Sequence, residues 1–260
     1  MDAKEIREFW AEQALLHGES PAASWSDHRL IDLEIAAIGA RIRPGERVLD
    51  AGCANGYSSA RYAALGATVV GVDYTSAMIE NAESRRRALP ADVAERLEFA
   101  VGDITALDFA DASFDTVVST RVIINLPSWD EQVRALRECA RVLRPGGLFL
   151  LSEATEQGWN RLNTLRREWG FTDIPMPPFN HYLDEERVKE AIAGALDIEA
   201  ISDFASSYYV ATRLLKPLLA ARTEVQVDVA DPDAEFNRWA ATLQPAGDYG
   251  TQKLFVLRRA

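Results

Sequence analysis

The stretch Val48-Leu49-Asp50-Ala51-Gly52-Cys53-Ala54-Asn55-Gly56 runs from a short apolar segment into a turn of small residues. A helix is predicted directly after it, from 57 to about 65. In open α/β sheets, such strand-to-helix turns form a crevice at the carboxyl ends of the strands, where ligands bind. Small residues in the turn let the backbone approach a ligand closely. The stretch therefore predicts both a fold class and the place of a binding site.

The rest of the chain repeats this alternation of apolar strands and amphipathic helices. Strands are predicted at 47–51, 67–72, 97–101, 114–119, 148–152, 198–204 and 253–258. Continuous apolar strands between helices indicate a sheet that is covered on both faces, and such sheets are mostly parallel. We therefore expect an α/β fold, with elaborations of the same sheet after Glu153 rather than a second domain.

The turn and the next strand suggest which cofactor is bound. Asp73 ends the second strand, 23 positions after Asp50, where an acid can reach ribose hydroxyls. A dinucleotide motif that starts at Gly52 requires glycine at positions 54 and 57, but Ala54 and Tyr57 stand there. This spacing opposes a nicotinamide oxidoreductase. S-adenosylmethionine has no phosphate and carries an ammonium and a sulfonium, so acids in the first turn suit it.

Five motifs in chain order resemble those of the class I S-adenosylmethionine-dependent methyltransferases. They occupy 49–56, 70–79, 102–104, 114–119 and 143–147. Ala54 departs from the family's middle glycine. The resemblance implies a Rossmann-like, mostly parallel seven-stranded sheet with helices on both faces and helical lid insertions. It also implies a set of cofactor-binding residues: Asp50, Gly52, Ala54, Gly56, Asp73, Tyr74, Met78, Asp103, Ile104 and Ser119. Two alternatives stay open, since Asp50 or Asp103 could serve only its own turn.

The same resemblance divides the chain into a core and covering segments. We expect an N-terminal helical lid at 1–42 and a Rossmann-like domain at 43–260, with substrate-binding insertions at about 154–183 and 205–246. Polar and aromatic residues in these regions are candidates for substrate binding: Trp25, Arg121, Asn125, Arg166, Asn180, Tyr209 and Arg213. The arginines could clamp a carboxylate or phosphate, or form ordinary salt bridges. Trp25 could equally be a core residue.

His181 is the candidate general base. It follows a proline-rich loop and precedes a predicted helix, so it could be held rigidly beside the crevice. Imidazole titrates close to neutral pH and can take a proton from a hydroxyl acceptor. The alternative is a histidine that caps the helix or packs against it.

Composition narrows the classes of partner. Lys and Arg number 28 and Asp and Glu 40, a net charge of −12, which opposes binding to nucleic acid phosphates. The fourth strand ends in Ser119-Thr120-Arg121-Val122, without the proline pair typical of nucleic-acid base methylation. We expect a cytoplasmic protein without a membrane span, because no apolar stretch is long enough and the N-terminus lacks a signal-peptide core. No metal site is expected from the two cysteines.

Together these features predict methyl transfer from S-adenosylmethionine to a small molecule, with S-adenosylhomocysteine as the product. The expected acceptor is an oxygen of a hydroxyl, carboxylate or phosphoryl-type group in a biosynthetic pathway. N-methylation of a small amine is the nearest alternative. A protein that binds the cofactor without turnover is another, although Asp73 opposes it.

Overall fold

One sheet organises the computed structural model, which describes residues 3–223 and 228–260. Within these residues seven strands pair in the order β3-β2-β1-β4-β5-β7-β6, and only β7 runs antiparallel to its neighbours. The strands are β1 Arg47–Ala51, β2 Thr68–Asp73, β3 Leu97–Val101, β4 Phe114–Thr120, β5 Leu143–Ala154, β6 Leu196–Ser202 and β7 Gln252–Arg259. The predicted α/β class and mostly parallel seven-stranded sheet are confirmed.

Helices precede and connect the strands. They are α1 Ala3–His17, α2 His28–Gly39, α3 Tyr57–Ala64, α4 Ser76–Ala88, α5 Ala91–Ala94, α6 Trp129–Val142, α7 Glu156–Glu168, α8 Glu185–Ile192, α9 Ser206–Val210, α10 Lys216–Ala220 and α11 Glu235–Ala240. A π-helical turn, Ala211–Leu215, joins α9 to α10. In the described parts of the chain no helix is long and apolar enough to cross a membrane.

Two hydrophobic clusters cover the two faces of the sheet. Successive strand side chains point to opposite faces, so Val117 belongs to the cluster around α6 and α8, and Val118 to the cluster around α2 and α3. Leu151 and Leu150 of β5 divide in the same way. This double burial explains the consecutive apolar residues of the central strands, such as Val117-Val118 and Leu150-Leu151.

The two N-terminal helices differ in their environment. α2 buries Leu30, Ile31 and Ile38 in the cluster beneath the sheet, whereas α1 buries only Ile6 and Ala14 and packs beside α4. Of the predicted lid at 1–42, α1 and the short turn after it therefore lie over the strand ends, and α2 belongs to the core. Residues 1–2 of that lid and 224–227 of the second predicted insertion lie outside the described residues.

A buried lysine joins the last strand to two loops. Lys253 of β7 is 1% exposed and forms ion pairs with Asp203, at 2.9 Å, and Asp248. Asp203 also accepts the Gly250 amide at 2.7 Å. The lysine thus neutralises a carboxylate that would otherwise be buried without a counter-charge.

We predict that Lys253→Met lowers the free energy of unfolding by about 3–5 kcal/mol, because Asp203 stays buried without its cation. Adding Asp203→Asn should recover much of this loss. Urea denaturation of both variants measures the effect. A single variant as stable as the original chain would contradict the role of this pair.

Candidate active site

The carboxyl ends of β1, β2 and β4 open into a cleft of about 1130 Å³, its open mouth included. We call it the strand-end cleft. Parallel strands meet here with their helices diverging on opposite faces, so the backbone leaves space. Its lining includes Arg7, Trp10, Ser24, Asp50, Gly52, Ala54, Asp73, Tyr74, Met78, Asp103, Ile104, Thr120, Arg121, Val122, Asn125 and Glu131.

The turn after β1 is held tightly against β2. The amides of Gly52 and Cys53 both donate to the Val72 carbonyl, at 2.7 and 2.9 Å. Gly52 has φ 86°, and a Cβ there would lie 2.1 Å from a Val122 methyl. Ala54 adopts φ 47°, so alanine accommodates the left-handed conformation that the family's glycine takes more freely. The turn keeps its shape despite that substitution.

Asp73 organises the floor of the cleft. Its carboxylate accepts the amides of Ala54, at 3.1 Å, and Thr75, at 2.8 Å. Burial raises the pKa of Asp73, while these hydrogen bonds act in the opposite direction. Each carboxylate oxygen retains a further lone pair, so Asp73 can also accept hydrogen bonds from ligand hydroxyls.

Asp50 is a second acid at the base of the cleft. It is 1% exposed and accepts a hydrogen bond of 2.6 Å from the Ser59 hydroxyl. Burial raises the pKa of Asp50 to about 6, with a smaller contribution from the charge of Asp73. Ionising this group in the cleft costs about 3 kcal/mol more than ionising an aspartate in water, and a bound cation would offset this difference.

S-adenosylmethionine fits this set of side chains. Asp50, Asp73 and Asp103 bring three carboxyl groups to one cleft, and Met78 and Ile104 add apolar walls. These groups suit a ligand with cationic groups, ribose hydroxyls and a flat base, whereas a pyrophosphate would be repelled. Among these groups, Asp73 could accept hydrogen bonds from the ribose hydroxyls.

Eight of the ten predicted cofactor residues line the cleft, and two do not. Gly56, with φ 71°, begins α3, and a Cβ there would lie 2.8 Å from the Phe99 ring, so it serves packing. Ser119 is fully buried within β4 and lines no described cavity, whereas Thr120 does. Alternation along the strand turns these two side chains to opposite faces, which corrects the prediction for Ser119.

A second cavity, of about 800 Å³ with its mouth, adjoins the first. We call it the aromatic cavity. Its lining residues are Trp10, Ser24, Trp25, Arg121, Ile124, Asn125, Ala154, Trp159, Ile174, Pro177, Phe179, Asn180, Tyr182, Tyr209, Arg213, Thr251 and Gln252. Four of them, Trp10, Ser24, Arg121 and Asn125, also line the strand-end cleft, so the two spaces share a boundary.

Arg121 stands at that boundary between two buried acids. Its guanidinium forms an ion pair with Glu34 of α2, and Glu153 of β5 lies close enough to affect its charge. Burial lowers the pKa of Arg121 to about 10 and raises the pKa of Glu153 to about 8. Glu153 in turn accepts the amides of Val122 and Ile123, at 2.9 and 2.7 Å. The residues that follow β4 are therefore fixed by Glu34 through Arg121 and by Glu153 through the next two amides.

Arg213 is the second arginine of the aromatic cavity. It donates to Asp27, which caps α2, at 2.6 Å. Asp27 also accepts the Tyr208 hydroxyl at 2.8 Å. This contact joins the predicted insertion at 205–246 to the N-terminal segment.

Six of the seven predicted substrate residues line the aromatic cavity, and Arg166 does not. Arg166 donates to the Thr172 carbonyl at 3.0 and 3.2 Å and to the Arg213 carbonyl, so it closes the loop after α7. Arg166 lies on a face of α7 that does not line the cavity, and the sequence pattern of α7 does not show which of its faces does. This corrects the prediction for Arg166.

His181 is exposed and lines neither cavity, although its neighbours Asn180 and Tyr182 do. Its backbone amide donates to Ile124, and its carbonyl accepts from Gln132 at 2.8 Å. The imidazole lies at the surface, outside the lining of both cavities. The general-base prediction for His181 is corrected accordingly.

Sequence reasoning missed the two acids that pair with Arg121. Glu34 occupies a position in the apolar stripe of α2, three residues after Ile31, and Glu153 directly follows an apolar strand. A charged residue at a position expected to be buried is the signal that could have identified both.

Comparison with known proteins agrees with this geometry. Residues 49–151 match a family described as a methyltransferase domain. The chain is 34% identical over 143 residues to a demethylmenaquinone methyltransferase of Renibacterium salmoninarum, covering 55% of each protein. It is 30% identical over 204 residues to a 27-O-demethylrifamycin SV methyltransferase of Amycolatopsis mediterranei, covering 76% of this chain and 65% of that one. The chain thus spans between about half and two thirds of the length of these relatives.

Solved structures share the fold. The magnesium protoporphyrin IX methyltransferase of Synechocystis PCC 6803, solved with bound S-adenosylhomocysteine, superposes with a TM-score of 0.64. The match covers 100% of both chains at 16% identity. At that identity the likeness establishes the architecture, and the chemistry has to be argued from this chain's own residues.

Asp73→Ala should weaken S-adenosylmethionine binding about ten- to a hundredfold, because hydrogen bonds to the ribose are lost. Asp73→Asn keeps one acceptor oxygen, so its affinity for S-adenosylmethionine should lie between those of the original chain and of Asp73→Ala. Calorimetry measures the affinities, and Asp108→Ala, an exposed acid outside both cavities, is the matched control. Equal affinities for Asp73→Ala and the control would place the cofactor elsewhere.

Cofactor binding should release a proton near pH 6. Asp50 is largely protonated below about pH 6 in the free protein, and a bound cation favours its ionised form. Affinity should therefore rise with pH through about 6 and level off above it. Calorimetry in buffers of different ionisation heat detects the proton, and Asp50→Asn should abolish it. An affinity that is flat between about pH 5 and about pH 7 would argue against this role.

Proposed function

Because the chain carries a class I S-adenosylmethionine-dependent methyltransferase domain, we propose that it transfers a methyl group to an oxygen of a small-molecule acceptor. The observation that carries this proposal is the shared boundary of the two cavities, at Trp10, Ser24, Arg121 and Asn125. A cofactor in the strand-end cleft would face an acceptor in the aromatic cavity directly.

Positioning is the main task of the protein in such a reaction. Bound S-adenosylmethionine supplies a methyl group that is already activated on a sulfonium, and transfer to a hydroxyl leaves one proton to be released. Holding two reactants in the reactive orientation can raise the rate as much as an effective concentration of roughly 10⁵–10⁸ M would. Arg121 and Asn125 are well suited to this work, because Glu34 pairs with the Arg121 guanidinium and the Asn125 amide donates to the Arg121 carbonyl.

The aromatic cavity offers no evident general base for removing the acceptor's proton. Among the described residues that line it there is no histidine, aspartate or glutamate. Burial raises the pKa of both Tyr182 and Tyr209, so these phenols stay protonated near neutral pH. An oxygen acceptor would therefore pass its proton to solvent or to a carboxylate of the adjoining strand-end cleft as the methyl group arrives. A phenol, with a reference pKa of about 10, releases that proton more readily than an aliphatic alcohol does.

The same observation favours a second candidate, methylation of a neutral amine nitrogen, which requires no base. The relative named for 27-O-demethylrifamycin SV supports oxygen as the first candidate. A net charge of −12 supports a small molecule over a nucleic acid. Cys53 and Cys139 are buried and unpaired, which suits our further proposal of a reducing, cytoplasmic location.

The test is incubation with fractionated bacterial metabolites and deuteriomethyl-labelled S-adenosylmethionine. Mass spectrometry should reveal a labelled product, and carbon–proton correlation NMR should identify the methylated atom as oxygen or nitrogen. Asp73→Ala should lower the yield at limiting cofactor. Failure to label any fraction while S-adenosylmethionine binds would indicate a protein that holds the cofactor without turnover.

His181→Ala should keep turnover within about twofold of the original chain, because its imidazole lies outside both cavities. A general base would contribute roughly 10²–10⁴-fold. Initial rates on the labelled acceptor measure this difference. A loss of that size, with cofactor affinity intact, would reinstate His181 as the base.

A further inference from the structure

Six aromatic side chains from separate parts of the chain form the walls of the aromatic cavity. They are Trp10, Trp25, Trp159, Phe179, Tyr182 and Tyr209. Two pairs meet edge to face, Trp10 with Phe179 at 6.1 Å and Trp159 with Tyr182 at 6.4 Å between ring centroids. Aromatic rings contact one another best when stacked with an offset or at right angles. Such walls favour a flat, aromatic ligand.

Both positive charges in this cavity are already matched by acids. Arg213 pairs with Asp27 at 2.6 Å, and Arg121 pairs with Glu34 and lies near Glu153. A carboxylate or phosphate on the acceptor would enter without a free counter-charge. Burying an unpaired ion is costly, so the cavity selects against anions.

Two buried oxygens in the same cavity have no hydrogen-bond partner, and the Nε atom of Arg121 is a buried donor that a neutral acceptor oxygen of a ligand could satisfy. The two oxygens are the side-chain Oδ1 atoms of Asn125 and Asn180. The orientation of the Asn125 amide is set by its nitrogen, which donates to the Arg121 carbonyl at 2.7 Å. The Asn180 Oδ1 atom is likewise buried without a partner among the described residues. Buried polar atoms in proteins nearly always have partners, so each oxygen calls for a donor.

We propose that the acceptor is a neutral aromatic molecule with two hydrogen-bond donors, one held by Asn125 and the other by Asn180. Because Asn125 lines both cavities and Asn180 only the aromatic one, the donor on Asn125 is the group nearest the cofactor. The inference rests on the proposed function. It narrows the acceptor from any oxygen-bearing small molecule to phenols and aromatic amines that carry no charge.

The test compares three molecules with one ring system in the complex with S-adenosylhomocysteine. They are 2,3-dihydroxynaphthalene, its dimethyl ether, which lacks donors, and 3-hydroxy-2-naphthoate, which is an anion. Quenching of tryptophan fluorescence reports binding, since three tryptophans line the cavity. The diol should bind at least about tenfold more tightly than either of the others. Undetectable binding of the diol, or equal or tighter binding of the ether or the naphthoate, would overturn the proposal.

Variants test the hydrogen-bond contacts separately from the charge pairing of the arginines. Asn180→Leu should weaken diol binding about tenfold and leave the ether unchanged, because only the donor contact is lost. Asn125→Leu should do the same, with S-adenosylhomocysteine affinity as the check that the Arg121 turn is intact. Asp27→Asn keeps the helix cap and frees Arg213, so naphthoate binding should become about tenfold tighter while diol binding stays constant. A packing role of Asp27 alone would not change the preference between naphthoate and diol. Unchanged naphthoate binding in Asp27→Asn would contradict the proposal that paired arginines exclude anions.

Methyl transfer is measured separately from binding. A diol that binds as predicted but is never methylated, alongside metabolite fractions that remain unlabelled, would contradict the proposed function and support the acceptor class. Labelling of an anionic metabolite would confirm methyl transfer and overturn the acceptor class.

Discussion

The ion pair between Arg121 and Glu34 connects the parts of the molecule on which the site depends. Glu34 reaches from α2 and also accepts hydrogen bonds from Ser152 of β5, at 2.5 Å, and Gln252 of β7, at 3.1 Å. Arg121 leaves β4 with φ 56°, a conformation that a non-glycine residue adopts only when its surroundings enforce it. Removing either partner would leave the other as a buried charge without compensation. The pair and its hydrogen bonds therefore fix α2, β5, β7 and the turn after β4 relative to one another.

That arrangement gives the two adjoining cavities opposite electrostatic character. The strand-end cleft keeps its acids available, because Asp50 and Asp73 are contacted by a hydroxyl and by backbone amides rather than by cations at close range. The aromatic cavity keeps its arginines paired. A cationic donor and a neutral acceptor would thus each find a matching environment, and Arg121 and Asn125 stand at the boundary where the two must meet.

Residues close to the strand ends line one cleft, and this position follows from chain order. Asp50, Gly52, Ala54 and Asp73 line the cleft because a parallel sheet brings these ends to one edge. Chain order does not fix the direction of every side chain along a strand. Ser119 and Thr120 are neighbours in sequence, and only the second faces the cleft.

The sequence by itself determined the α/β fold, and it predicted a ligand site at the carboxyl edge of the sheet whose glycine spacing opposes a dinucleotide. These depend on local patterns of apolar, small and acidic residues. Only the tertiary structure decided that Arg166 closes a loop, that His181 lies outside the lining of both cavities, and that Arg121 meets Glu34 from 87 positions earlier in the chain. Partners so far apart in sequence leave no local pattern, because packing of the whole fold brings them together.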